Sequence, residues 1–149
     1  MVDILHAVGV KAPAQDVYKA LTTCDGLAGW WTDDTKGESG AVDGIVTFRF
    51  GTRGFFDMRV TELEPGKRVS WQVADGPQDW IGTKVHFDIK PVDGGSTILF
   101  RHEGWRQPIE FMHHCSTKWA TFLMSMKSLI ETGKGKAFPN DVHISVNGD

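Results

Sequence analysis

His102 is the polar residue that strand periodicity places inside the molecule. It follows Ile98 and Phe100 at two-residue spacing, so the alternation that buries those two aims its imidazole inward, while Arg101 points out. An imidazole with an ordinary pKa of about 6.5 suits proton transfer near neutrality. Two uses stay open at this point: a hydrogen-bonded core group, or a ligand-orienting or acid/base group. His113-His114-Cys115 has the residue types of a metal site but the wrong spacing. Neighbours on a helix point about 100° apart, whereas paired helix ligands need a separation of three or four. No metal is expected. Cys115 is in phase with an apolar stripe and reads as an inert, buried thiol. Asp33-Asp34 and Glu38 fall in a polar, Gly-containing stretch, 33–43, that reads as a solvated loop. The sequence contains no Gly-x-Ser-x-Gly, no Gly-rich phosphate loop and no His-Glu-x-x-His, so no cofactor is expected.

The aromatic content is the second chemical signal: six Trp and nine Phe against one Tyr. Trp30, Trp31, Phe48, Phe50, Met58, Trp71, Phe87, Phe100, Trp119 and Phe122 fall mostly on faces expected to point inward, and Trp105 lies where a strand should end. Such side chains bury the largest areas available and can simply fill a core. They can equally wall a pocket for an apolar ligand held by a few polar groups. With His102 they form the candidate ligand-binding set.

The elements that position these residues follow from the periods. Apolar positions between Asp3 and Val10 make a first strand. Pro13 suits the first turn of a helix carrying Val17, Ala20 and Leu21. A second short helix is expected over Asp25 to Trp31, weakened by Gly26 and Gly29. From Gly44 the period becomes two, giving five strands around Val46–Phe50, Phe56–Thr61, Val69–Val73, Val85–Ile89 and Ile98–His102. Gly51–Gly54, Glu64-Pro65-Gly66-Lys67, Asp75-Gly76-Pro77 and Asp93-Gly94-Gly95 interrupt them. A long helix should run from about Pro108 to Thr132, with Met112, Cys115, Trp119, Phe122, Leu123, Met126, Leu129 and Ile130 on one stripe and Gly133 closing it. The polar tail, 134–149, reads as irregular, with Phe138-Pro139 as an anchor. One bent six-stranded antiparallel sheet with one apolar face needs a cover, and the long helix is the only element large enough. The class is α+β, in one domain spanning 1–149.

Composition bounds the rest. The chain has 149 residues, 40% hydrophobic and 23% charged, which suits a single globular core. A net charge of −3 is the wrong sign for a nucleic-acid binder, and Lys67-Arg68 is a turn rather than a basic patch. The two cysteines are too few for a disulfide framework. No stretch approaches a membrane span, and no basic run followed by an apolar one opens the chain. A cytoplasmic protein is expected.

Several strings, in order, resemble the birch-pollen-allergen and START-related (SRPBCC) superfamily. They are Ala12-Pro13-Ala14 with Val17 and Ala20-Leu21-Thr22, then Gly29-Trp30-Trp31, then Val60 to Val69 with Trp71. Gly95-Ser96-Thr97 leading to His102-Glu103-Gly104-Trp105 follows, and Trp119, Leu123, Met126 to Leu129, Glu131, Gly133 and Gly135 close the match. Within the superfamily the chain resembles the branch of activator of heat-shock-protein-90 ATPase homologues, often grouped with polyketide cyclases. The resemblance implies a helix-grip fold with a cavity between sheet and long helix. It implies three functions: binding or carrying a small apolar or aromatic molecule, cyclase or dehydratase chemistry with His102 as acid/base, or a chaperone-interaction domain. The co-chaperone members carry an additional N-terminal domain, whereas the first strand here starts at Asp3. Ligand binding, without dedicated catalytic machinery, is therefore the leading expectation.

Overall fold

The computed structural model describes residues 1–147. β1 (Val2–Val10) leads to α1 (Ala14–Thr22) and α2 (Cys24–Trp30). Six strands follow: β2 (Asp34–Gly37), β3 (Ile45–Arg49), β4 (Phe55–Glu64), β5 (Arg68–Asp75), β6 (Lys84–Val92) and β7 (Gly95–Trp105). α3 (Glu110–Thr132) comes last. The strands form one antiparallel sheet in the order β1-β7-β6-β5-β4-β3-β2, a meander closed at one edge by the return of the first strand beside the last.

Six strands are expected from the sequence, and seven are found among the described residues. The additional one, β2, lies inside the stretch read as a loop. Asp34-Thr35-Lys36-Gly37 has no apolar alternation, so its side chains give no strand signal. Backbone pairing to β3, from Asp34↔Arg49 to Gly37↔Val46, makes it a strand at an exposed polar edge.

Elsewhere alternation selects the core face. Val46 and Phe48, Met58 and Val60, Val69 and Trp71, Val85 and Phe87, and Ile98 and Phe100 are all buried. α3 packs Cys115, Trp119, Phe122, Leu123 and Met126 against that face. Its start is Glu110, with Pro108 left outside and Ile109 extended as the N-cap. Its end is Gly133, whose φ of 84° lies in the left-handed region and whose N–H bonds Leu129 O at 2.8 Å. In α2, glycine is required by close approach. A Cβ on Gly26 would lie 2.7 Å from Ala20 Cα, so α1 and α2 could not pack as they do.

Beyond α3 the chain runs back over α2 without a helix or strand of its own, apart from one parallel bridge between Thr32 and Phe138. Phe138 N–H bonds Trp31 O at 2.9 Å, and its ring meets Phe50 at 5.5 Å. The last two residues of the expected tail lie outside the described residues. No helix is long and apolar enough to cross a membrane.

Candidate functional site

The twelve candidate residues are all buried, but they divide into two groups. Trp30, Trp31, Phe48, Met58, Trp71, Phe87, Phe100, His102 and Trp105 pack into one another. Trp31 alone touches Phe48 at 4.3 Å, lies parallel to Phe56 at 5.4 Å and Trp71 at 6.0 Å, and leans on Trp119 at 5.1 Å. These rings fill the space under α3 in offset-stacked and edge-on arrangements. Phe50, Trp119 and Phe122 differ: they also line a cleft of about 160 Å³.

His102 sits at the centre of a closed hydrogen-bond chain. Trp119 Nε1–H donates to its Nδ1 at 3.1 Å, and an indole nitrogen can only donate. Nδ1 is therefore the acceptor, which leaves the proton on Nε2. Nε2–H donates to Thr83 Oγ1 at 2.8 Å, and the Thr83 hydroxyl donates to Trp80 O at 2.5 Å. Burial pushes the imidazole pKa down to about 3, so the ring is neutral near neutral pH. Both nitrogens are occupied. The acid/base role that cyclase chemistry would need has no free nitrogen to use, and the group instead ties β7 to α3 and to the turn before β6.

The cleft lies where the β3–β4 turn and the 76–83 segment meet the first half of α3 and the returning tail. Beside Phe50, Trp119 and Phe122 it is walled by Phe56, Trp80, Phe111 and Phe138, with Arg53, His114, Cys115, Lys118 and Asp141 as its polar lining. Trp80 is folded inward by a tight coil: its N–H bonds Pro77 O at 2.9 Å, and Thr83 N–H bonds Trp80 O at 2.9 Å. The ring then stacks on Phe56 at 4.1 Å and meets His102 edge-on at 4.6 Å. Lys118 Nζ contacts Asp141 Oδ2 at 2.5 Å and Val142 O at 2.6 Å, which fastens the tail to α3. Of the two adjacent histidines, His114 faces the cleft and stacks on Phe111 at 6.2 Å, while His113 is exposed. Burial pushes the Cys115 thiol up to about 12, which keeps it protonated and unreactive.

Sequence reasoning misses Trp80, Phe111, Phe138, Lys118 and Asp141. A tryptophan in a turn, out of step with strand alternation, is a signal that could have found Trp80. Asp141 gives none, because its partner is 23 residues away and only tail docking joins them. A Ser-His-Glu arrangement also escapes the sequence, since it spans three strands on the convex face. His86 Nδ1 lies 2.7 Å from Ser70 Oγ, and His86 Nε2 lies 2.7 Å from Glu103 Oε1. It is not a nucleophile site. Arg68, a donor only, also reaches Nδ1 at 3.0 Å and Ser70 Oγ at 3.1 Å, and its side chain covers a Ser70 that is 1% exposed. The hydrogen bond from His86 holds the Glu103 carboxyl below its ordinary pKa. Among the described residues, no cluster of three or more His, Cys, Asp or Glu could hold a metal ion.

A curved antiparallel sheet wrapped around a long C-terminal helix, with a cleft at their junction, defines a helix-grip protein of the SRPBCC superfamily. The chain belongs to the family described as Activator of Hsp90 ATPase homolog 1-like protein, whose model matches residues 11–131. The solution structure of the Aha1 dimer from Colwellia psychrerythraea is 45% identical, covers 91% of this chain and 100% of that chain, and superposes with a TM-score of 0.84. A protein of Staphylococcus saprophyticus is 15% identical, with coverage of 91% and 97% and a TM-score of 0.76. CalU16 from Micromonospora echinospora is 15% identical, with coverage of 86% and 73% and a TM-score of 0.72. The latter two show the fold alone. No curated protein matches the chain.

Proposed function

We propose that the chain binds a small aromatic molecule in the cleft between the β3–β4 turn, the first half of α3 and the tail. The observation that carries this reading is the match of size to wall. A space of about 160 Å³ lined by seven aromatic rings is close to the roughly 150 Å³ apolar cavity that accommodates benzene. Lipid or steroid cargo would need several times that volume, and the space under α3 that could provide it is filled by Trp30, Trp31, Trp71 and Phe87. The reading is a binding or carrier function in the cytoplasm, a setting that suits the two unbridged cysteines, Cys24 and Cys115. Because Trp80 and Trp119 form part of the wall, toluene or phenol should quench intrinsic fluorescence to saturation, while palmitate should not. A linear, unsaturating response to every single-ring compound tried would remove the reading.

A second reading is a protein-interaction domain of the chaperone-ATPase-activator type. Family membership favours it, as does a relative 45% identical over its whole length that is described as an Aha1 dimer. It is tested by adding the chain to an Hsp90-class chaperone and following ATP hydrolysis. Stimulation at stoichiometric amounts supports this reading, and an unchanged rate removes it.

A further inference from the structure

The polar side chains of the cleft are unevenly charged. Arg53, His114 and Lys118 are basic, and Asp141 is the one acidic side chain on the lining among the described residues. Each basic group is laid against a ring of the wall. Arg53 Cζ lies 5.5 Å from the centroid of Phe138 and Lys118 Nζ 5.0 Å from that of Phe122, both within reach of a cation–π contact. The His114 imidazole stacks on Phe111. Asp141 meets Lys118 at 2.5 Å and offsets its charge. The lining residues together are therefore positive, by one charge from Arg53 and by one more whenever His114 is protonated, in a chain whose net charge is −3. Asp79 is near enough to act on the Cys115 thiol but is outside the lining. Two other depressions lack this combination. One, on the outer face of α3, has Lys136 but no aromatic wall, and the other, on the convex face of β1 and β7, sets Arg101 against Asp88.

We infer that the cleft selects an aromatic carboxylate, one ring bearing a single anionic group. This rests on the aromatic-binding reading and specifies its ligand. Arg53 is exposed in the β3–β4 turn and His114 is half-buried, whereas Trp80 and Trp119 are buried, so the basic groups lie toward the mouth and the rings within. A carboxylate at the mouth keeps part of its water, which avoids the desolvation cost that full burial of a charge imposes. A guanidinium can bind a carboxylate through two parallel N–H bonds. The other basic groups add attraction without touching the same oxygen, because charges act over several ångströms. A ring ammonium would meet Arg53 and Lys118 with like charge, and a neutral ring would leave the positive lining unbalanced.

Benzoate and benzamide test this by titration calorimetry, because they share size and shape and differ in charge; benzylamine supplies the opposite charge. In a cleft that reads only the ring, benzamide binds at least as tightly, since benzoate must shed more strongly held water. With the carboxylate recognised, benzoate should bind roughly tenfold more tightly than benzamide, the order of one charge-assisted hydrogen bond. The affinity ratio should fall severalfold in Arg53→Met, which keeps the length of the side chain without its charge, or in His114→Phe, which keeps the stacked ring without its nitrogens. Being a ratio within each protein, it is insensitive to a general loss of affinity, and the wild-type series decides the matter even where a variant fails to fold. Benzamide binding as well as benzoate, benzylamine binding best, or a ratio unchanged in both folded variants would each overturn the inference while leaving the aromatic-binding reading in place. Failure of benzoate, benzamide and benzylamine alike to saturate, together with toluene and phenol, would overturn both.

Discussion

The imidazole of His102 is neutral because its surroundings accept only one tautomer and are too dry for a charge. Trp119 donates to Nδ1, Thr83 accepts from Nε2–H, and burial holds the folded-state pKa near 3 against an unfolded value of about 6.5. Between those values the unfolded chain binds a proton that the folded chain does not. The contribution is therefore complete above about pH 6.5 and is lost as the pH falls toward 3, at up to about 1.4 kcal/mol per pH unit. Urea unfolding of the wild type between pH 7 and pH 4 should show roughly 3 kcal/mol more loss from this group than is seen in His102→Gln. Equal pH slopes for the two proteins would mean that the native ring is charged. Position and neighbours set this residue's role: alternation in β7 aims it inward, and Trp119 from α3 and Thr83 from the turn before β6 meet its two nitrogens.

At the scale of elements, α3 and the segment after it are joined by two glycines with different physical roles. Gly133 adopts a left-handed φ, and the space its missing Cβ would occupy is open, so only backbone strain opposes a side chain there. Gly135 has no such φ, but a Cβ would lie 2.2 Å from Gly29 O, where the tail crosses α2. Gly133→Ala should cost about 1–2 kcal/mol, the strain of placing a Cβ in that conformation. Gly135→Ala should cost about 1–3 kcal/mol through overpacking and should also loosen the tail that brings Phe138 and Asp141 to the cleft. The two variants separate in ligand binding rather than in stability. Weakened phenol binding is expected for Gly135→Ala and near-normal binding for Gly133→Ala. The same weakening in both would mean that the tail does not position the cleft.

For the whole molecule, binding and pH act on one folding equilibrium. A ligand at one hundred times its dissociation constant adds about 2.7 kcal/mol, which for a chain of this size raises the melting midpoint by roughly 5–10 °C. The rise should appear with phenol at pH 7 in calorimetry, and its absence at demonstrated saturation would show that the ligand also binds the unfolded chain. The helix-grip architecture is legible in the sequence because alternation of two in β3 to β7 and a stripe at three and four in α3 are local consequences of backbone geometry. Burial of the aromatic set is legible for the same reason. β2 is not, since its strand character lies in backbone pairing at an edge, and polar side chains do not encode that. Nor is the division of the twelve candidates into nine that pack the interior and three that reach the cleft, because spacing marks a residue as inward-facing without saying whether it meets other side chains or open space. Which of His113 and His114 faces inward depends on the true helix start at Glu110, fixed by how α3 sits on the sheet. Local periodicity is enough to dictate a curved sheet that buries one aromatic-rich face beneath a long helix. Where space remains, and which residues line it, depends on packing between distant parts of the chain, because Trp80, Lys118 and Asp141 come to line one cleft only after three separate segments have closed around it.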